Sequence, residues 1–173
     1  MKKILLLLAV AAFTVACNTE KKADTSNQAK VTLAYEASYS SSFEMGNPEY
    51  SAMILQGSWK DWEANNLDNM RNWVSDTIVA YHSDNKVVRG VDSLMARWKK
   101  DRASYTSVKP TIDAVIPVYS TDKKENWVLV WATEIDTKAD GSIDTVSLME
   151  TWRINKEGKA DLLLQFNRAK RKQ

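Results

Sequence analysis

From Val108 to the end of the chain, apolar residues recur at every second position, and this period sets the fold more tightly than any other feature of the sequence. Three long runs, Val108 to Ser120, Trp127 to Thr137 and Ile143 to Asn155, are followed by a shorter one, Ala160 to Arg168. Alternation of this kind marks strands with one buried face, and short turn segments between the runs mark an antiparallel meander. Two turns fix which residues share a face. With Asp140-Gly141 as a two-residue hairpin loop, Ala139 faces Ser142, and Trp131 then faces Glu150, Leu129 faces Trp152 and Trp127 faces Ile154. With Lys156-Glu157-Gly158 as a three-residue loop, Asn155 faces Lys159, Trp152 faces Leu162 and Leu148 faces Phe166. One sheet face then carries Trp127, Leu129, Trp131, Ile135, Val146, Leu148, Trp152, Ile154, Leu162, Leu164 and Phe166. The other, with Val128, Val130, Glu134, Met149, Arg153 and Gln165, is mixed, so the helices are expected on the first.

Those helices precede the sheet. Asn47-Pro48-Glu49 combines a capping side chain, a proline suited to the first turn and an acid suited to the positive end. Ala52, Leu55, Trp59 and Trp62 follow on one helical stripe. Asn66 is placed to cap a second helix carrying Leu67, Met70, Trp73 and Val74. Ile78 to His82 and Val87-Val88 read as a short strand pair about the turn Ser83-Asp84-Asn85, and Gly90 opens a third helix with Val91, Leu94, Met95 and Trp98 inward.

The amino terminus follows different rules. Lys2 and Lys3 precede an apolar run from Ile4 to Ala16, shorter than the roughly 20 residues a membrane-spanning helix needs. A charged start, apolar middle and small-residue exit make residues 1-16 a secretory signal. Thr14-Val15-Ala16-Cys17 resembles the lipobox of bacterial lipoproteins, with Thr14 where members usually carry Leu; the resemblance implies acylation of Cys17, as by palmitate, and a membrane-anchored protein of the cell envelope. Asn18, in place of the Asp of inner-membrane retention, points to the outer membrane. Residues 17-30 contain no large apolar side chain and form a flexible tether. In 31-46, the alternation of Val31, Leu33, Tyr35, Ala37 and Tyr39 predicts an edge strand and lead-in, while 169-173 is a basic tail.

Composition then excludes whole classes of function. The 173 residues hold one Cys and one His, too few for a disulfide framework or a structural zinc site. The formal charge of +2 comes from 24 basic against 22 acidic side chains, and loss of Lys2 and Lys3 with the signal makes the two equal. No nucleic-acid partner is expected from such a balance. Five glycines form no phosphate-binding loop, and neither cofactor nor metal is implied.

Taken together, Trp59 and Trp62 in the first helix, Asp76 to His82 in the first strand, Val88-Arg89-Gly90-Val91-Asp92-Ser93-Leu94 and the Gly158 turn resemble the SnoaL-like branch of the nuclear transport factor 2-like superfamily over 47-168. The resemblance implies an α+β fold in the shape of a cone, three amino-terminal helices packed on a curved antiparallel sheet, with a pocket between them. It implies no single activity, because members include isomerases, dehydratases, epoxide hydrolases and polyketide cyclases.

The candidate ligand-pocket residues are His82, Trp131, Glu150 and Trp152. Glu150, flanked by Leu148 and Trp152, is either a desolvated acid or base inside the pocket or a hydrated group at its mouth paired with Arg97. His82 is either a strand-end histidine or the partner of Asp76 or Glu150. Three functions stay open: binding of a small, largely apolar ligand without catalysis; acid/base catalysis of isomerase or dehydratase type by Glu150 with His82 or Tyr81; and homodimerisation through the mixed sheet face.

Overall fold

A computed structural model describes residues 32–168. The signal, Cys17, the tether and the basic tail therefore lie outside the described residues. The chain divides into two units, Met1–Glu36 and Ala37–Gln173. In the first, residues 32–36 form neither helix nor strand.

The second unit is a seven-stranded sheet covered on one face by helices. Its elements run β1 (Phe43–Met45), α1 (Pro48–Ile54), a π-helical segment (Leu55–Lys60), α2 (Asp61–Ala64), a 3-10 segment (Leu67–Asn72), β2 (Val74–Tyr81), β3 (Val87–Arg89), α3 (Val91–Arg102), β4 (Tyr105–Ser120), β5 (Glu125–Lys138), β6 (Ile143–Ile154) and β7 (Ala160–Asn167). The alternation over 31–40 gives no strand among the described residues, and the edge strand forms at β1 instead.

The cone and its antiparallel sheet require correction. Strand order is β1-β4-β5-β6-β7-β2-β3, with β2 running parallel to β7, so the sheet is mixed. It is neither closed nor strongly curled. The edges β1 and β3 are three residues each, too short to offer a ladder that would bring the ends together.

Helix starts follow the sequence closely. Asn47 accepts a hydrogen bond from the Glu49 amide at 3.0 Å and Pro48 occupies the first turn. In α1 Ser51 and Ile54 are buried and Ala52 is exposed; beyond Ile54 the winding loosens to π, and Gly57, Ser58 and Trp59 are buried together. The expected second helix is the 3-10 segment, and Asn66 makes no side-chain cap there. Helix α3 buries Val91, Leu94 and Trp98.

Two one-residue events overturn the expected sheet register. At the β5–β6 turn the Lys138 amide donates to the Ser142 carbonyl at 2.9 Å and Gly141 takes φ +80°, so the loop holds three residues, Ala139 to Gly141. Lys138, not Ala139, therefore closes the hairpin, and every residue of β5 changes face. Val128 lies opposite Trp152 and Val130 opposite Glu150, whereas Trp131 lies opposite Met149 and Trp127 opposite Arg153. The β6–β7 turn forms as expected, with the Asn155 amide donating to Lys159 at 2.8 Å. One step later Ile154 pairs with Ala160 but Arg153 pairs with Leu162, leaving Asp161 in a bulge. The Arg153 guanidinium holds that extra residue, donating to Asp161 at 2.8 and 3.2 Å. Trp152 thus faces Leu163, and Leu148 faces Asn167.

The helix-covered face consequently carries Val128, Val130, Ala132, Trp152, Ile154 and Leu163, packed against Ile54, Trp59, Leu94 and Trp98. Edge-on ring contacts link Trp62 to Trp98 (5.9 Å), Trp98 to Trp152 (6.1 Å) and Trp152 to Trp73 (5.4 Å). Trp127 is buried on the opposite face, beneath the Tyr39 ring at 5.4 Å and the Arg153 guanidinium at 5.9 Å.

Candidate functional site

Between the π segment, α3 and the covered ends of β5 and β6 lies a cavity of about 270 Å³. Its apolar wall is built by Trp59, Trp62, Trp98, Val146 and Leu148. Its polar side includes Ser58, His82, Arg97, Asp101, Tyr105, Glu134, Asp136, Glu150 and Gln165, with Ser83, Ser104 and Asn167 beside them.

Glu150 sits at the floor rather than the mouth, 3% exposed, and Arg97 is not its partner. Three neutral donors meet its carboxyl: Ser58 Oγ (3.1 Å) and Trp152 Nε1 (3.0 Å) on Oε2, and Gln165 Nε2 (3.0 Å) on Oε1. Burial pushes its pKa up, and those three donors work against the rise. Ser58 belongs to the π segment, in which Gly57, Ser58 and Trp59 are all buried.

His82 lines the cavity and is 6% exposed, but it meets neither Asp76 nor Glu150. Its Nδ1 lies 3.4 Å from Gln165 Oε1. Because the Gln165 amide nitrogen is donating to Glu150, its carbonyl oxygen faces the ring, which assigns the proton to Nδ1 and leaves Nε2 a bare acceptor. Burial and the neighbouring Arg97 charge lower the His82 pKa, favouring neutral imidazole. Gln165 thus stands between the two candidate residues. Asp76 is exposed on β2, and Tyr81 is exposed on the same strand.

Trp131 does not line the cavity, because the one-residue change in the β5 turn sends it to the other face. Trp152 is fully buried behind the floor and acts through its indole N–H on Glu150.

The same change brings in two residues that the expected register had turned away. Glu134 and Asp136, two apart on β5, both point into the cavity and are 6% and 2% exposed. Glu134 accepts from Trp62 Nε1 at 2.9 Å. Burial, the adjacent Asp136 charge and a hydrogen bond to that carboxyl push Glu134 up to about 8. Burial also raises Asp136, opposed by the Glu134 hydrogen bond and the Arg102 charge. Like charges this close resist full ionisation, which favours the protonated form of Glu134. A signal for them was present: two acids at i and i+2 after Ala132 share one strand face, whichever face that is. No group of three or more His, Cys, Asp or Glu side chains is arranged to hold a metal ion among the described residues.

No protein-family model matches the chain, and no curated protein does. Solved structures do match. An NTF2-like protein of unknown function from Exiguobacterium sp. 255-15 superposes with a TM-score of 0.57 at 17% identity, covering 68% of this chain and 99% of the other. The fold is like that of this NTF2-like structure. A putative SnoaL-like polyketide cyclase from Jannaschia sp. CCS1 gives a TM-score of 0.56 at 13% identity, over 69% of this chain and 83% of that one. A Mycobacterium tuberculosis protein in complex with estradiol-17beta-hemisuccinate gives 0.55 at 14%, over 68% and 92%. At these identities the likeness is one of fold alone.

Proposed function

We propose that the domain binds a small, largely apolar molecule without transforming it, and does so as an envelope lipoprotein anchored through acylated Cys17. The observation that carries the binding reading is the cavity itself: about 270 Å³ walled by three tryptophans and floored by a carboxyl already held by three donors. Catalysis by Glu150 with His82 is disfavoured because Gln165 separates them and an amide does not relay protons at neutral pH. Acid/base chemistry has a better seat at Glu134, whose pKa near 8 suits a general acid or base at physiological pH. Native mass spectrometry of the full chain tests binding: a retained mass that a cavity-filling Val146→Trp variant loses supports it, and the same mass on both proteins counts against it.

The anchor reading rests on the apolar run Ile4 to Ala16 ending at Cys17. Metabolic labelling with palmitate is expected to mark the native protein and not Cys17→Ala; label persisting in the variant would contradict it. Homodimerisation is supported by the exposed Ile116, Ile135 and Phe166 side chains of the sheet, and sedimentation at micromolar concentration tests it.

A further inference from the structure

The polar atoms left over in the cavity narrow the chemistry of its ligand, given the binding reading above. Four carboxyls reach the lining. Glu150 is occupied by Ser58, Trp152 and Gln165. Asp101 faces the Arg97 guanidinium at 3.3 Å, and Glu134 takes the Trp62 indole N–H at 2.9 Å. Asp136 remains: the residue is 2% exposed, it lines the cavity, its carboxyl is hydrogen-bonded to that of Glu134, and its Oδ1 takes no N–H or hydroxyl donor among the described residues. His82 Nε2 is a second unfilled acceptor, buried and also without a partner among them.

Donors are scarcer. Arg97 is engaged by Asp84 (3.1 Å) and Asp101. Arg102, buried beside the site, spends its guanidinium on the carbonyls of Trp62, Glu63 and Tyr105 at 2.9 to 3.1 Å. Of the buried lining donors, the Trp59 indole N–H is left with neither a hydrogen bond nor an ion pair among the described residues. An anionic ligand would find no uncommitted cation here, and it would face Glu134 and Asp136.

We infer that the ligand is a cationic amine with an apolar body, its ammonium donating to Asp136 Oδ1 beside Glu134 and its body lying among Trp59, Trp62 and Trp98. An ammonium brings three donors and no acceptor, which complements unfilled acceptors better than a hydroxyl does. Tryptophan faces add attraction for a cation that neutral isosteres lack. A proton held by Glu134 would leave for solvent as the ammonium arrives, so the second carboxylate forms only when there is a charge to meet it.

Calorimetric titration of the full chain at pH 7 with phenethylamine, 2-phenylethanol and phenylacetate compares one apolar body carrying three charges. The amine is expected to bind at least about tenfold tighter than the alcohol, and phenylacetate weakest. Asp136→Asn and Glu134→Gln, near-isosteric and checked for native near-UV circular dichroism, are expected to weaken the amine about tenfold and to narrow its advantage over the alcohol. Alcohol binding as tight as the amine, or phenylacetate binding tightest, overturns the amine inference while the cavity remains a ligand site. No heat from any of the three overturns the amine inference and the apolar-ligand reading together.

Discussion

Gly57 is a residue that no side chain can replace quietly. A Cβ built there would lie 2.3 Å from Trp73 Cε2, and the Trp73 ring is itself packed edge-on against buried Trp152. Gly57→Ala must push a ring that has no free space behind it, or unwind the π turn that presents Ser58 to Glu150. Overpacking of this kind costs about 1–3 kcal/mol. Urea unfolding of the variant is expected to show a loss in that range, and an unchanged midpoint would mean that the Trp73 contact is not as close as described.

Glu134 gives the site a pH signature whose sign follows from linkage. Its carboxyl stands near 8 when folded and near 4.5 as a free side chain, so between those values the folded state holds a proton that the unfolded state has released. Stability contributed by the protonated group is complete below about 4.5 and is lost as pH rises through 8. Asp136 and Glu150, also raised, act in the same sense. His82, lowered from 6.5, acts oppositely but only below that value, and Asp84, held near 2 mainly by Arg97 and Lys86 against burial, acts only in acid. The window from 6.5 to 8 therefore lies above the His82 and Asp84 titrations and takes in that of Glu134. Thermal unfolding across it is expected to show falling stability in the native protein and a shallower fall in Glu134→Gln; equal slopes would contradict the assignment.

At the scale of elements, the sequence announced where strands and helices begin more clearly than which way strands face. Asn47-Pro48 and the Gly90 start of α3 were legible because capping and periodicity are local. So was the Asn155–Lys159 turn, where Gly158 takes φ +77°. The register was not, because both faces of β5 are apolar: Trp127, Leu129 and Trp131 alternate with Val128, Val130 and Ala132, so periodicity cannot choose between them. A loop of three residues instead of two, and a bulge at Asp161, then decided the face of β5 and of β7. Glu150 and His82 line the cavity, and so do Glu134 and Asp136, which the expected strand face had hidden. Deleting Ala139 tests this turn. The remaining Asp140-Gly141 can close the same Lys138–Ser142 pair as a two-residue hairpin, so less than about 1 kcal/mol should be lost. Loss of the fold would instead favour Ala139 as the closing residue.

At the scale of the whole molecule, the mixed sheet explains why a cavity survives without a cone. Parallel pairing of β2 with β7 carries His82, at the end of β2, alongside Gln165 and hence toward Glu150. The helices cover the apolar part of the same face, and the tryptophan chain from Trp62 to Trp73 fills the interior beside the cavity rather than within it. A polar-floored space is left where β5 turns acidic at Glu134 and Asp136. Removing those acids should change what the cavity takes, while removing the aromatic wall should change whether it takes anything.

The seven tryptophans supply the most direct test of the central claim, because each indole N–H gives its own proton–nitrogen resonance. Trp59 and Trp62 line the cavity, whereas Trp127 is buried on the opposite sheet face under Tyr39 and Arg153. Titration with phenethylamine is expected to move the Trp59 and Trp62 indole resonances saturably and to leave Trp127 in place. Seven unmoved resonances, or a Trp127 that shifts with the other two, would contradict an amine site in this cavity.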